Sequence, residues 1–158
     1  MGLRFESSVI FVKDVSLSKS FYTQLLGMQV LSDFGPCVGF AGGLSIWQVD
    51  HAHSMLFGRS DTDQSSLGRR NLEICFESDD IDAVVEKLVA DKVPLVHPLT
   101  TQPWQQRVIR FYDPDGHVVE VGEPMWLVIR RLAESGLSHE DVAKQSLMPL
   151  EVVKQILR

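Results

Sequence analysis

Residues 110–121 read Arg110-Phe111-Tyr112-Asp113-Pro114-Asp115-Gly116-His117-Val118-Val119-Glu120-Val121, and they spell strand, tight turn, strand. Pro114 presets the backbone angle for a turn. Asp113 and Asp115 offer acceptors to nearby amides, and Gly116 tolerates positive φ. Side chains alternate across a strand, so if Val119 and Val121 face a helix-covered side, Glu120 faces the other side with Val118 and Gly122. A carboxylate among β-branched neighbours is costly to bury without a partner. It points to a polar cavity on that second face.

Working outward from this hairpin, the chain is written twice. Residues 9–12 form an apolar strand. A helical stripe of Leu17, Phe21, Tyr22, Leu25 and Leu26 follows at spacings of three and four, with Asp14 or Ser16 as cap and Gly27 as stop. The strand Leu72–Glu77 repeats the plan, with Ile81, Val84, Val85, Leu88 and Val89 as the stripe and Asp79 or Asp80 as cap. Aligning Asp14 with Asp80 sets the copies 66 residues apart. Three short strands follow each helix: 29–33, 36–40 and 44–49 in the first copy, 94–97, 106–112 and 117–121 in the second. Each copy is therefore β-α-β-β-β, and the period suits two copies of one supersecondary module. Each module covers one face of its sheet with its helix, which leaves the other faces to enclose a cavity. The segment from His51 to Arg70, rich in Ser, Asp, Gly and Gln, reads as a surface crossover anchored by Met55-Leu56-Phe57.

Composition narrows the class. The 158 residues are 44% hydrophobic and 23% charged, with a net charge of −6, as in a soluble globular protein rather than one coated for nucleic acid. Cys37 and Cys75 do not make a disulfide framework; in apolar strand-like runs they read as buried thiols. The first six residues lack the apolar core of a secretory signal, and no apolar run approaches the roughly 20 residues of a membrane span. A cytoplasmic location follows, with no membrane partner.

Three motifs carry a resemblance: Val12-Lys13-Asp14-Val15-x-x-Ser18-x-x-Phe21-Tyr22-x-x-Leu25-Leu26-Gly27, Phe40-Ala41-Gly42-Gly43-Leu44-Ser45-Ile46-Trp47, and Asp113-Pro114-Asp115-Gly116-x-x-x-Glu120. In this order, over about residues 5–124, they resemble the vicinal oxygen chelate superfamily of glyoxalases, extradiol dioxygenases, and fosfomycin- and bleomycin-resistance proteins. The resemblance implies an α+β fold: two βαβββ modules, about 5–50 and 71–124, forming a curved mixed sheet around a ligand site within a domain spanning 1–124. It also implies a homodimer and a small-molecule ligand. In the enzymes of the family a divalent metal occupies that site, held by residues of the first and last strands. Carried over by position, those ligands fall on Glu120 and Glu73. They also fall on Ser7, a poor ligand, and on Ile46, Trp47 or Gln48, of which only Gln48 coordinates.

Two readings of the site stay open. In the first, Glu73, Glu120 and Gln48 hold a metal. All-oxygen ligands suit Mg or Mn better than Zn, and Fe is a further candidate ion. The ion would act as Lewis acid for lyase, isomerase or dioxygenase chemistry, with Glu120 and Glu73 as the catalytic pair. In the second there is no metal. The glutamates face water or pair with Arg107 or Arg110, and the cavity sequesters a cationic or amphipathic molecule unchanged, as bleomycin-resistance proteins do. Trp47, Trp104 and Tyr112 are candidate stacking residues for substrate, and Arg107 and Arg110 candidate polar contacts. The two arginines differ in parity, so only one faces the cavity on a regular strand. His51-x-His53 is a candidate chelate on an extended crossover, while His97 lies near a strand end before Pro98.

Residues 125–158 belong to neither copy. Met125–Glu134 reads as a helix ending near Gly136. Ser138 caps a second, with Asp141 in an imperfect capping box, and Pro149 opens a third. The extension resembles helix-turn-helix units. Its charges, Arg130, Arg131, Lys144, Lys154 and Arg158 against Glu134, Glu140, Asp141 and Glu151, nearly balance, which argues against nucleic acid as a partner.

Overall fold

The structure, a computed structural model, describes residues 4–58 and 67–158, and in it each copy of the repeat builds its own four-stranded mixed sheet. The chain divides into two compact units, Met1–Leu72 with Asp113–His117, and Glu73–Tyr112 with Val118–Arg158.

The first unit holds β1 (Ser8–Val12), α1 (Val15–Ser20), β2 (Val30–Asp33), β3 (Cys37–Phe40) and β4 (Leu44–Gln48), in sheet order β1-β4-β3-β2. β1 runs parallel to β4, and the other pairs are antiparallel. Asp14 is the cap, its carboxylate accepting from the Leu17 amide. The helix continues as a π-helical turn over Phe21–Leu25. The buried side of this helix is Val15, Ser18 and Tyr22, whereas Leu17 points outward. The expected stripe is thus displaced at its start. Asp14 as cap makes Val15 the first helical residue, and Val15, Ser18 and Tyr22 then share a side at spacings of three and four.

Asp113–His117 locks this unit together. The buried Tyr22 hydroxyl donates to Asp113 Oδ2 at 2.9 Å. Asp113 also accepts from the amides of Asp115 and His117, and His117 Nδ1 lies 2.9 Å from Oδ2. Asp115 accepts from the Lys13 amide. The aspartates of the turn therefore tie the turn itself and the β1–α1 junction.

The crossover differs from expectation. Its first part is a helix, α2 (Val49–Phe57), ended by Gly58 at φ 68°. Val49 and Ala52 are buried, while Met55, Leu56 and Phe57, the expected anchor, are exposed. Residues 59–66 of the crossover lie outside the described residues. The helix also removes the extended His-x-His chelate. His51 Nδ1 accepts from the Trp47 indole at 2.8 Å. The His53 ring packs edge-on against Phe11 and Phe57, its centroid 5.6 and 5.5 Å from theirs.

The second unit repeats the plan with β5 (Glu73–Glu77), α3 (Ile81–Ala90), β6 (Leu95–Thr101), β7 (Arg107–Tyr112) and β8 (Val118–Gly122), in order β5-β8-β7-β6. The fold is α+β, two βαβββ modules with C-terminal helices. Asp80 is the cap of α3, accepting from Ala83. Ile81 and Leu88 are buried, but Val89 is exposed. Ile109, Phe111, Val119 and Val121 are buried, so Glu120 and Arg110 take the opposite side. β6 runs past Pro98 to Thr101, with irregular pairing between His97 and Thr100, where a residue lacking N–H is tolerated.

Helices α4 (Met125–Glu134), α5 (His139–Ser146) and α6 (Leu150–Ile156) pack on one another through Val128, Ile129, Leu132, Val142 and Val153. Ser138 caps α5 as expected; Pro149 is the cap residue of α6 rather than its first helical residue. Glu123, 1% exposed, receives Arg107 at 2.8 Å and Arg131 at 2.9 Å. This clamp ties α4 to the start of β7. Among the described residues no helix is long and apolar enough to cross a membrane.

Candidate functional site

The polar side of the second sheet is assembled by register. Arg110 on β7 stands opposite Glu120 on β8, Glu120 is aligned with Cys75 on β5, and His97 on β6 stands opposite Arg110. Glu73 and Glu77 share the side of Cys75 by alternation. The face thus gathers acids from two strands around one arginine on an interior strand, with Tyr112 at its end.

Arg110 is held at three points. Its Nε donates to Glu73 Oε1 at 2.6 Å, its Nη2 to Glu120 Oε2, and its Nη1 lies 3.2 Å from His97 Nε2. His97 Nδ1 lies 2.7 Å from the Pro98 carbonyl. A carbonyl only accepts, so the proton sits on Nδ1 and leaves Nε2 to accept from the guanidinium. The side chains of Glu120, Arg110 and Glu73 are 15%, 23% and 38% exposed. Partial burial pushes the Glu120 carboxyl above its usual range, with the Glu73 charge adding and the Arg110 guanidinium opposing. Burial first, then the charges of Glu120 and Glu73, raises the Cys75 thiol.

Cys75 is exposed on this face and Cys37 is half-buried, which corrects the reading of both as buried. β5 is an edge strand of the second sheet.

The remaining candidates have other partners. Arg107 pairs with Asp82 and Glu123, away from Glu73 and Glu120. Trp104 donates its indole N–H to Gln106. Trp47 packs against Phe11 in the first unit. Gln48 has both amide atoms engaged: Oε1 accepts from the Val15 amide at 3.2 Å, and Nε2 donates to the Lys13 carbonyl. It holds the β1–α1 junction. Register also corrects the expected correspondence with Glu120. Val9 pairs with Ser45 as Cys75 pairs with Glu120. The place of Glu120 in the first module therefore belongs to Ser45, not to Ile46, Trp47 or Gln48.

A glyoxalase-like domain model matches residues 5–126. The chain belongs to the glyoxalase-like family. Among solved structures, a protein of unknown function from Agrobacterium tumefaciens str. C58 is 44% identical, with 78% of this chain and 96% of that chain covered and a TM-score of 0.71. A glyoxalase/bleomycin resistance protein/dioxygenase from Nocardioides is 23% identical (78% and 84% covered, TM-score 0.61). A genomically encoded fosfomycin resistance protein, FosX, from Listeria monocytogenes is also 23% identical (78% and 95%, TM-score 0.58). These two share the vicinal oxygen chelate fold. No curated protein matches the chain.

The metal that this superfamily implies does not fit the residues present. The guanidinium of Arg110 already lies between the two carboxylates that would ligate it. Among the described residues no three His, Cys, Asp or Glu side chains are grouped to hold an ion.

Proposed function

We propose that this glyoxalase-like protein binds a small cationic, amphipathic molecule on the polar face of its second module, without a metal and in the manner of a sequestering protein. The observation that carries this reading is the three-point hold on Arg110. It engages the acids a metal would need, and still leaves the face negative. One guanidinium stands against Glu73 and Glu120, with Glu77 exposed on the same side. A ligand cation gains from that excess charge, and Tyr112 offers a ring for stacking. A homodimer and a cytoplasmic location belong to the same reading, the first checked by sedimentation and the second by fractionation.

Thermal-shift and calorimetric titration with matched sets of aromatic cations, neutral analogues and anions tests it. Aromatic cations should stabilise the protein and be recovered unchanged, and Glu73→Gln with Glu120→Gln should weaken the effect. Stabilisation by anions alone, or by nothing in the set, would reject it.

The half-buried position of Glu120 favours a second reading. A carboxyl raised above its usual range beside an arginine suits a general base, with the guanidinium steadying a developing oxyanion. Turnover of a carbonyl compound, lost in Glu120→Gln, would distinguish it from sequestration.

A further inference from the structure

On the polar face of the second sheet, three acceptors drawn from three strands converge on one cation. They are Glu73 Oε1, Glu120 Oε2 and His97 Nε2, and each meets a different nitrogen of Arg110. Two carboxylates and one imidazole are a donor set that divalent ions accept readily. We infer that Arg110 is this protein's own replacement for a metal ion: it excludes divalent ions from the site, and its removal converts the same three side chains into a metal site. The inference rests on the metal-free reading above and extends it to what these donors do without the guanidinium.

Two features make the replacement effective. The first is charge. A divalent ion entering beside Arg110 would meet a fixed positive charge that is only 23% exposed, where screening by water is weak. The second is geometry. A guanidinium spreads its donors around a planar fork, so acceptors 2.6 and 3.2 Å from separate nitrogens are held at its perimeter. A metal needs all its ligand atoms within about 2.0–2.2 Å of one point. Arg110 is therefore a spacer as well as a counter-charge, which accounts for the lack of any grouped metal-binding set among the described residues. β7 lies between β8 and β6, so the backbone that carries Arg110 is paired on both sides and holds it in place.

His97 is the least obvious member. Its hydrogen bond to the Pro98 carbonyl turns Nε2 toward the cation, the orientation that an outer partner gives a metal-binding histidine.

Calorimetry and thermal shift with Co²⁺ alone, on wild type, Glu120→Gln, Arg110→Met and Arg110→Met/Glu120→Gln, test the inference. Wild type should show no Co²⁺ heat and no shift. Arg110→Met should take up one Co²⁺ per chain, with affinity raised by about 10–100-fold, the scale on which a metal site's shell sets affinity, and Glu120→Gln should remove the gain. Co²⁺ binding by wild type that Glu120→Gln abolishes would overturn both this inference and the metal-free reading. A folded Arg110→Met that takes up no Co²⁺ would overturn the inference alone. If Arg110→Met does not fold without metal, Arg110→Gln is read in the same way. Recovery of either fold by Co²⁺ supports the inference, and failure to recover counts against it.

Discussion

Replacing Tyr22 by Phe removes one oxygen from the interior of the first unit and little else. The Tyr22 ring is fully buried, so Phe keeps its packing. What is lost is the 2.9 Å hydrogen bond to Asp113. A hydrogen bond to a charged partner contributes about 1.5–3 kcal/mol. Asp113 keeps its bonds from the Asp115 and His117 amides and its His117 ring partner, so its carboxylate is not orphaned. The lower part of the range, about 1.5–2 kcal/mol, is therefore expected, or roughly 3–8 °C in Tm for a chain of this length. Asp113→Ala should cost more, about 3–5 kcal/mol, because it strips the acceptor from a buried hydroxyl and a buried ring at once. The pH dependence carries a second signature. Burial first, then the Asp113 charge, raises the Tyr22 hydroxyl far above its ordinary range. A raised folded value gives stability that is whole below the unfolded value of about 10 and lost as pH rises beyond it. Wild type should weaken above that pH, and Tyr22→Phe should not share this loss. Asp113 behaves oppositely. Burial pushes its carboxyl up, but the hydrogen bonds and charge of His117 outweigh burial and leave it depressed. Its contribution is present above the unfolded value of about 3.9 and lost as pH falls through the lower folded value. Urea unfolding at neutral, acid and alkaline pH measures all three effects. A Tyr22→Phe protein within about 0.5 kcal/mol of wild type at neutral pH, with an unchanged alkaline profile, would refute the reasoning.

Other perturbations have equally direct readouts. Glu123→Gln leaves Arg107 and Arg131 sharing a neutral amide; both arginines are partly exposed, so a cost of about 2–3 kcal/mol is expected, and amide exchange should quicken in α4 more than in β1–β4. Gln48→Ala removes the two bonds at the β1–α1 junction and should cost about 1–2 kcal/mol in urea unfolding, with no change in metal content. The Cys75 thiol is raised by burial and by Glu120 and Glu73, so it should react with a disulfide reagent more slowly than a free thiol near pH 8, and Glu120→Gln should quicken it; equal rates would contradict the charge argument.

Most of the architecture was legible along the chain because it depends on local chemistry. Period-two and helical spacing marked the elements, Asp14 and Asp80 sit where caps are needed, and the Asp113–Gly116 turn dictates its hairpin. α2 was legible too. Val49, Ala52 and Leu56 follow helical spacing before Gly58, but polar residues beyond them drew the reading toward a loop. Glu120 stood out as a carboxylate between valines. Cys75 and Leu17 did not reveal their exposure, because burial depends on what covers a face.

The sequence by itself therefore determined a duplicated βαβββ chain with a glutamate on the side of its last strand opposite Val119 and Val121. Only the tertiary structure decided what that glutamate faces. The meeting of Glu73 with Arg110, 37 residues apart in sequence, follows from strand order with the parallel β5–β8 and antiparallel β7–β8 pairing, and that of His97 with Arg110 from the antiparallel β6–β7 pairing. A one-residue slip would have turned Arg110 to the opposite side of the sheet. Charge and spacing along a chain do not record which strands become neighbours; hydrogen-bond pairing between strands does.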